Sequence, residues 1–332
     1  MTPKERMKAA FDFKQQDDLV PFWELEFQIY PEMFGKDLIT GHAFAKLSAK
    51  EKERAMHYNA ELLVEVAEKL GYCAIRQITG YWEVEPGVGA SYWLPDTESQ
   101  VRQVEILSRL AGDRYMIIGD APGLIGIPPG NEVMRFVDDM YERPGELKEQ
   151  AEKMLQWGIA YGRMMAGAGA ECLLNCTDIA FNQGTFMSPA QIDEFFTPYF
   201  YRLIETLKKE GVYMMFHSDG NLMPVIDMLA DSGLNALQCI DPLGGMDIVA
   251  LKNRMEGKLC LVGNIDCSIL QLGTKEQIDE NVRHVLENCK FSGGFVLSAC
   301  NVIFKDIPPE NYQVMVDAHK KYGSLARMET PL

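Results

Sequence analysis

VYMMFHSDG, residues 212–220, is an apolar run that breaks off into His217, Asp219 and Gly220. Its length and its bulky apolar residues suit a buried strand, and the polar residues at its end suit a strand that stops where chemistry begins. Spacing i, i+2 on an extended strand places His217 and Asp219 on one face. One strand end thus offers an imidazole and a carboxylate to a single centre.

The same kind of run recurs along the chain. LVPFWELEF (19–27), YCAIRQIT (72–79), RYMIIGDAPG (114–123), AECLLNCTDIAF (170–181), ALQCIDP (236–242), KLCLVGNID (258–266) and GFVLSAC (294–300) read as seven more buried strands. Helical patterns lie between them. SPAQIDEFFTPYFYRLIETLKKEG opens on a Ser cap with Pro at the first position and ends on Gly, and GTKEQIDENVRHVLENC opens on Thr followed by acids. Strands alternating with helices imply parallel βαβ units, and eight of them imply a closed (β/α)8 TIM barrel. The opening MTPKERMKAAFDFKQQDD reads as an amphipathic helical extension, and residues 80–112 break the rhythm as an excursion with a β-hairpin around Gly87 to Gly89.

Composition narrows the function. A chain of 332 residues without a low-complexity or Pro/Ser-rich linker is expected to form one barrel domain over 1–332. A net charge of −16 argues against nucleic acid and anionic membrane as partners. No stretch is apolar for long enough to span a bilayer, and the N-terminus has no signal-peptide pattern, so the expected location is cytoplasmic. The eight cysteines are scattered, mostly in apolar runs, which fits free thiols in a reducing compartment. GDAPG and GIPPG match neither a P-loop nor the dinucleotide fingerprint, which disfavours nucleotide binding.

In a barrel of this kind, chemistry gathers at the C-terminal ends of the strands. Those ends carry Glu24 and Glu26, Asp120, Thr177 and Asp178, His217 and Asp219, Asp241, Asn264 and Asp266, and Cys300. Imidazole, carboxylate and thiolate together suit zinc, so His217, Asp219 and Cys300 are candidate metal ligands. The plainer alternative is a strand-capping His217 and one more buried thiol at Cys300. Cys239, two residues before Asp241, is a reserve ligand, whereas Cys260 begins its strand and belongs to the core. Cys172 and Cys176 lack a zinc-finger spacing. Asp178, in an apolar strand followed by a Gly-bearing loop, suits acid–base work or substrate binding as well as it suits a structural ion pair. Tyr81, Trp82 and Trp93 either line a pocket or pack the excursion.

The block from 178 to 323, with DIAFNQGTFMSPAQIDEFFTPYF, HSDGN, GLNALQCIDPLGGMDIVALKNRM, LVGNID and DIPPENYQVMVDAHKKYG, resembles the uroporphyrinogen decarboxylase superfamily. The opening TPKERMKAAFDFKQQDDLVPFWE resembles it too, and the implied fold is again a (β/α)8 barrel. The superfamily includes porphyrinogen decarboxylases and cobamide-dependent methyltransferases. The decarboxylases carry an Arg-rich segment of the form RQAGRY after the first strand, where this chain has WELEFQIY. The methyltransferase branch holds zinc with a His-x-Cys pair and a Cys at the last strand end. His217 matches the His, Asp219 stands in place of the first Cys, and Cys300 matches the last.

The resemblance implies a corrinoid-dependent methyltransferase, and the harder ligand Asp219 favours a zinc that polarises an ether oxygen. The expected reaction moves a methyl group from an O-methyl donor, an aromatic methyl ether in view of the excursion's aromatics, to the Co(I) corrinoid of a carrier protein. Asp178, Glu24 and Glu26 are the expected catalytic acids, and Tyr81, Asn182, Asp241 and Asn264 the substrate contacts. The implied cofactors are zinc and a corrinoid (cobalamin) supplied by the carrier. Expected partners are that carrier, a small methylated substrate and at most a second copy in a homodimer. The alternatives are methyl transfer from methyl-corrinoid to a thiol, a metal-free accessory subunit of a corrinoid complex and, less in keeping with WELEFQIY, tetrapyrrole decarboxylation.

Overall fold

The computed structural model describes residues 1–14, 18–77, 80–85, 88–92 and 94–325, with backbone alone for 80–92. In chain order the strands are β1 (Ala74–Arg76), β2 (Gly80–Glu85), β3 (Val88–Tyr92), β4 (Met116–Asp120), β5 (Cys172–Cys176), β6 (Ala180–Phe181), β7 (Gly184–Thr185), β8 (Tyr213–His217), β9 (Ala236–Cys239), β10 (Cys260–Ile265) and β11 (Phe295–Ala299). Seven of them form one sheet in the order β1-β4-β5-β8-β9-β10-β11. Every neighbouring pair is parallel.

The segment 21–27 fills the eighth position. The Trp23 N–H donates to the Leu297 carbonyl at 3.1 Å, the Leu297 N–H to the Pro21 carbonyl at 2.9 Å, and on the other side the Cys73 N–H to the Phe22 carbonyl at 2.7 Å. Phe22 and Phe27 also bridge in parallel to Leu297 and Ile303. The last strand is thereby joined to the first, and the protein is a (β/α)8 barrel. Its helices form between the strands as their caps dictate. Ser188 and Thr274 each close a capping box, over helices Pro189–Phe195 and Lys275–Cys289. The pattern expected as one helix from 188 breaks at Phe196, and a second helix, Thr197–Lys208, follows with Pro198 in its first turn.

Two apolar layers hold the barrel. Inside it, Trp23, Leu25, Ala74, Met116, Ile118, Cys172, Leu174, Met215, Ala236, Cys260, Val262 and Val296 pack together with Met7, Ala10 and Phe11 of helix Pro3–Phe11. That helix is bonded from the Lys4 N–H to the Arg114 carbonyl and from the Gly294 N–H to the Ala10 carbonyl, both ahead of strand starts. It therefore plugs the N-terminal end of the barrel and leaves the C-terminal end as the open mouth. Outside, the alternate strand residues, Phe22, Ile117, Leu173, Phe216, Leu261 and Leu297 among them, pack against the helices.

The expected hairpin is present, β2 running antiparallel to β3. The run expected as one strand over 170–181 is divided instead. β5 ends at Cys176, and β6 pairs antiparallel with β7 in a separate small hairpin. No described helix is long and apolar enough to cross a membrane.

Candidate metal and active site at the barrel mouth

His217 is the last residue of β8 and is buried. Its Nδ1 bonds to Gln238 Oε1 on the neighbouring strand β9. The orientation of that amide follows from its other end. Gln238 Nε2 lies 3.3 Å from both the Ala299 and Cys300 carbonyl oxygens, which only accept, so the NH2 must face them and the oxygen must face His217. Oε1 can only accept, so Nδ1 carries its hydrogen, and the Nε2 of a neutral ring presents its lone pair.

That lone pair faces two carboxylates. Nε2 is 3.8 Å from Asp178 Oδ1 and 3.6 Å from Asp219 Oδ1. Ligand atoms of Asp178, His217 and Asp219 all lie within 4.8 Å of one another. Asp219 is held on several sides: Asn301 Nδ2 donates to its Oδ2 at 2.7 Å, Cys239 Sγ–H to its Oδ1 at 3.3 Å, and its own N–H donates to Asp178 Oδ1 at 2.9 Å. Burial raises the pKa of the Asp219 carboxyl above its ordinary value, and the nearby Asp178 and Asp241 add to the rise, against the pull of His217 and the Cys239 hydrogen bond. An imidazole lone pair and two crowded carboxylates around one point fit a divalent cation such as zinc.

The loop bearing Asp219 is set by backbone contacts. Gly220 has φ of +83°, and a Cβ there would stand 2.7 Å from the Ala180 and Phe181 carbonyl oxygens, so only glycine lets β6 and this loop approach. Asp241, expected to touch substrate, accepts from the Gly220 N–H at 3.0 Å and the Leu243 N–H at 2.9 Å. Asn264, also expected there, is buried and donates to the Ile240 carbonyl at 2.9 Å. Both shape the loops around the site. Asn182 is exposed in the turn between β6 and β7. The side chains of Tyr81 and Trp82, and Trp93 as a whole, lie outside the described residues.

Glu24 and Cys300 engage other side chains. Trp23 and Leu25 point into the barrel, so Glu24 points outward to the C-terminal helix Pro309–Tyr322. There it accepts from Tyr312 Oη at 3.2 Å, Ser298 Oγ at 3.1 Å and the Ala299 N–H at 2.9 Å. Burial pushes its carboxyl up to about 8, with these hydrogen bonds opposing. The Cys300 thiol lies 3.8 Å from that of Cys267. Among the described residues, Cys300 forms no ligand group of three with His217 and Asp219.

Glu26 belongs to a second polar cluster that reading strand by strand left unassigned. Arg76, at the end of β1, donates from Nη2 at 2.8 Å and Nε at 3.1 Å to Asp120 Oδ1 at the end of β4, and Gln77 Nε2 donates to Asp120 Oδ2 at 2.6 Å. Arg76 also reaches Cys176 Sγ at 3.5 Å. Burial raises the pKa of the Glu26 carboxyl, with the Gln28 hydrogen bond and then Arg76 opposing and Asp120 adding to the rise. The signal for Arg76 was present in YCAIRQIT, a charge ending an apolar run, as it was for Gln238 in ALQCIDP. Beside Asp178, Thr177 and Cys176 opens a cavity of about 510 Å³, whose wall includes Leu124, Ile125, Phe136 and Met154.

The structure thus defines a (β/α)8 barrel whose polar groups converge at its C-terminal mouth. The family description "Uroporphyrinogen decarboxylase (URO-D)" matches residues 126–322, well over half of the chain, and the protein belongs to that family. The uroporphyrinogen decarboxylase of Syntrophotalea carbinolica is 27% identical over 182 residues, 54% of this chain and 49% of that protein. That of Pseudoalteromonas atlantica is 28% identical over 192 residues, 55% of this chain and 50% of that protein. The chain spans about half the length of the curated relatives it matches. Among solved structures, a methyltransferase from Methanosarcina mazei shares the fold with a TM-score of 0.74 at 18% identity, covering 97% of this chain and 99% of that one.

Proposed function

We propose that the protein is a corrinoid-dependent methyltransferase that moves a methyl group from an O-methyl donor, an aromatic methyl ether in the first instance, to the Co(I) corrinoid of a separate carrier protein. The observation that carries this reading is the meeting of Asp178, His217 and Asp219 at the mouth. These three would hold a zinc ion, and bound there it would supply Lewis acidity to the ether oxygen, lowering the barrier to loss of the methyl group.

The chain's own residues prepare the rest. Gln238 keeps the His217 lone pair turned to the centre. Asn301 and Cys239 keep Asp219 aimed at it. Asp178 is half exposed and lines the adjoining cavity of about 510 Å³, so a donor lying against Leu124, Ile125 and Phe136 would bring its oxygen to this carboxyl. Ionised as a ligand, Asp178 would orient the donor against the cavity wall, and the departing oxyanion would take its proton from water at the open mouth. The open mouth would receive the carrier, and the exposed Met134, Phe181, Leu243 and Leu272, all on segments that follow barrel strands, supply apolar contacts for it.

Decarboxylation of a tetrapyrrole is the activity named in the curated relatives. A polycarboxylate needs several cationic partners. At this mouth Arg76 is spent on Asp120, and Glu26, Asp178, Asp219 and Asp241 surround the opening. The test is zinc analysis of the purified protein, followed by an anaerobic assay with a Co(I) carrier and a panel of methoxylated aromatics. Methyl-Co(III) formation with zinc bound supports the reading. Coproporphyrinogen production, or turnover only with a thiol acceptor, refutes it. Metal content of Asp178→Asn and Cys300→Ser then identifies the third ligand, with zinc expected to be lost from the former and kept by the latter.

A further inference from the structure

Cys267 and Cys300 lie just past the ends of β10 and β11. Those strands pair in parallel with Ile265 opposite Ala299, and the Cys300 N–H donates to the Ile265 carbonyl at 2.8 Å. Neighbouring strands run about 4.8 Å apart, so the two residues start from backbone positions compatible with the roughly 4.4–6.8 Å between Cα atoms that a disulfide spans. Their sulfurs are in contact at 3.8 Å. Cys267 is partly buried and Cys300 is buried. Other cysteines turn elsewhere, Cys176 to Arg76, Cys239 to Asp219 and Cys260 to the Leu261 carbonyl.

We propose that Cys267 and Cys300 are a reversible oxidation site, which closes to a disulfide when a peroxide reaches the barrel mouth. In the first step the peroxide O–O bond breaks, one oxygen goes to Cys267 as a sulfenic acid, and the other leaves as water. The Cys300 sulfur then attacks the Cys267 sulfur, the S–O bond breaks, and a second water leaves with the remaining thiol proton. One hydrogen peroxide is reduced and two thiols are oxidised, giving one disulfide and two waters. Closing the sulfurs from 3.8 Å to about 2.05 Å asks movement only of segments outside the sheet, because Cys300 sits in a bend and Cys267 begins the short helix Cys267–Leu272. The next residue, Asn301, is the one that holds Asp219, so closure pulls on the mouth.

The protein is purified in reductant, freed of it anaerobically, treated with one equivalent of hydrogen peroxide, and alkylated under denaturing conditions. The expected product has lost two hydrogens in intact mass, contains a tryptic cross-link between residues 259–275 and 291–305 bridged at Cys267 and Cys300, and reverts with dithiothreitol. Cys267→Ser is expected to yield no such loss. A bridge between Cys300 and Cys239, a two-hydrogen loss that persists in Cys267→Ser, or oxygen added to the exposed Cys176 while Cys267 and Cys300 both remain alkylatable would each overturn the proposal.

Discussion

Gln238→Leu removes the acceptor of the His217 Nδ1–H at a place where both side chains are buried, His217 with 6% and Gln238 with none of its surface exposed. An orphaned buried donor costs about 1–3 kcal/mol. The two amide contacts to the Ala299 and Cys300 carbonyls are long, 3.3 Å each, and their loss adds roughly 1 kcal/mol in all. A destabilisation of about 2–4 kcal/mol is therefore expected. The effect on metal is separate. Without the amide oxygen the ring is free to move its hydrogen to Nε2 and turn the lone pair away, and loss of such an orienting partner typically weakens metal binding about 10–100-fold, or about 1.4–2.7 kcal/mol. Competition with a chromogenic chelator measures zinc affinity, and thermal unfolding of the metal-free protein measures stability. If Gln238→Leu is destabilised yet binds zinc within about twofold of wild type, the derivation of the His217 tautomer and its role as ligand is refuted.

Glu24 has a carboxyl pushed up to about 8 in the fold against an ordinary value of 4.5, so the folded state keeps a proton that the unfolded chain releases. Its contribution to stability is fully present below about 4.5 and is lost as pH rises to about 8. Urea midpoints of wild type should fall over that window relative to Glu24→Gln by a few kcal/mol in free energy, and a difference independent of pH would count against the buried acid. Arg76→Met strands the buried Asp120 with Gln77 alone, which should cost about 3–5 kcal/mol, whereas Arg76→Met with Asp120→Leu should recover much of it in thermal unfolding. Gly220→Ala forces a side chain into a left-handed backbone and against two carbonyl oxygens, so a loss of about 1–3 kcal/mol is expected together with a lower zinc-to-protein ratio as Asp219 shifts.

The eight apolar runs, their polar ends and the pairing of His217 with Asp219 were all legible in the residues, because strand period and helix caps are local properties. The barrel follows from that alternation, and with it the statement that strand ends share a mouth. What the chain order could not decide is which polar ends meet. Glu24 follows the same pattern as Asp178, yet the register of segment 21–27 against β11 turns Trp23 and Leu25 inward and sends Glu24 out to Tyr312. Asp178 and Asp219 lie beyond the last paired residues of β5 and β8, and their positions depend on loop contacts such as the Ile179 N–H to Ser218 Oγ at 3.0 Å and the Ile127 N–H to the Asp178 carbonyl at 2.7 Å. Those contacts are distant in sequence and carry no periodic signal. Cys300 has a strand-end position as promising as theirs, and the loop after β10 brings Cys267 to it. A strand's alternation is written in its own residues, but the phase of each strand in a closed barrel, and the path of the chain after it, are set by partners elsewhere in the fold.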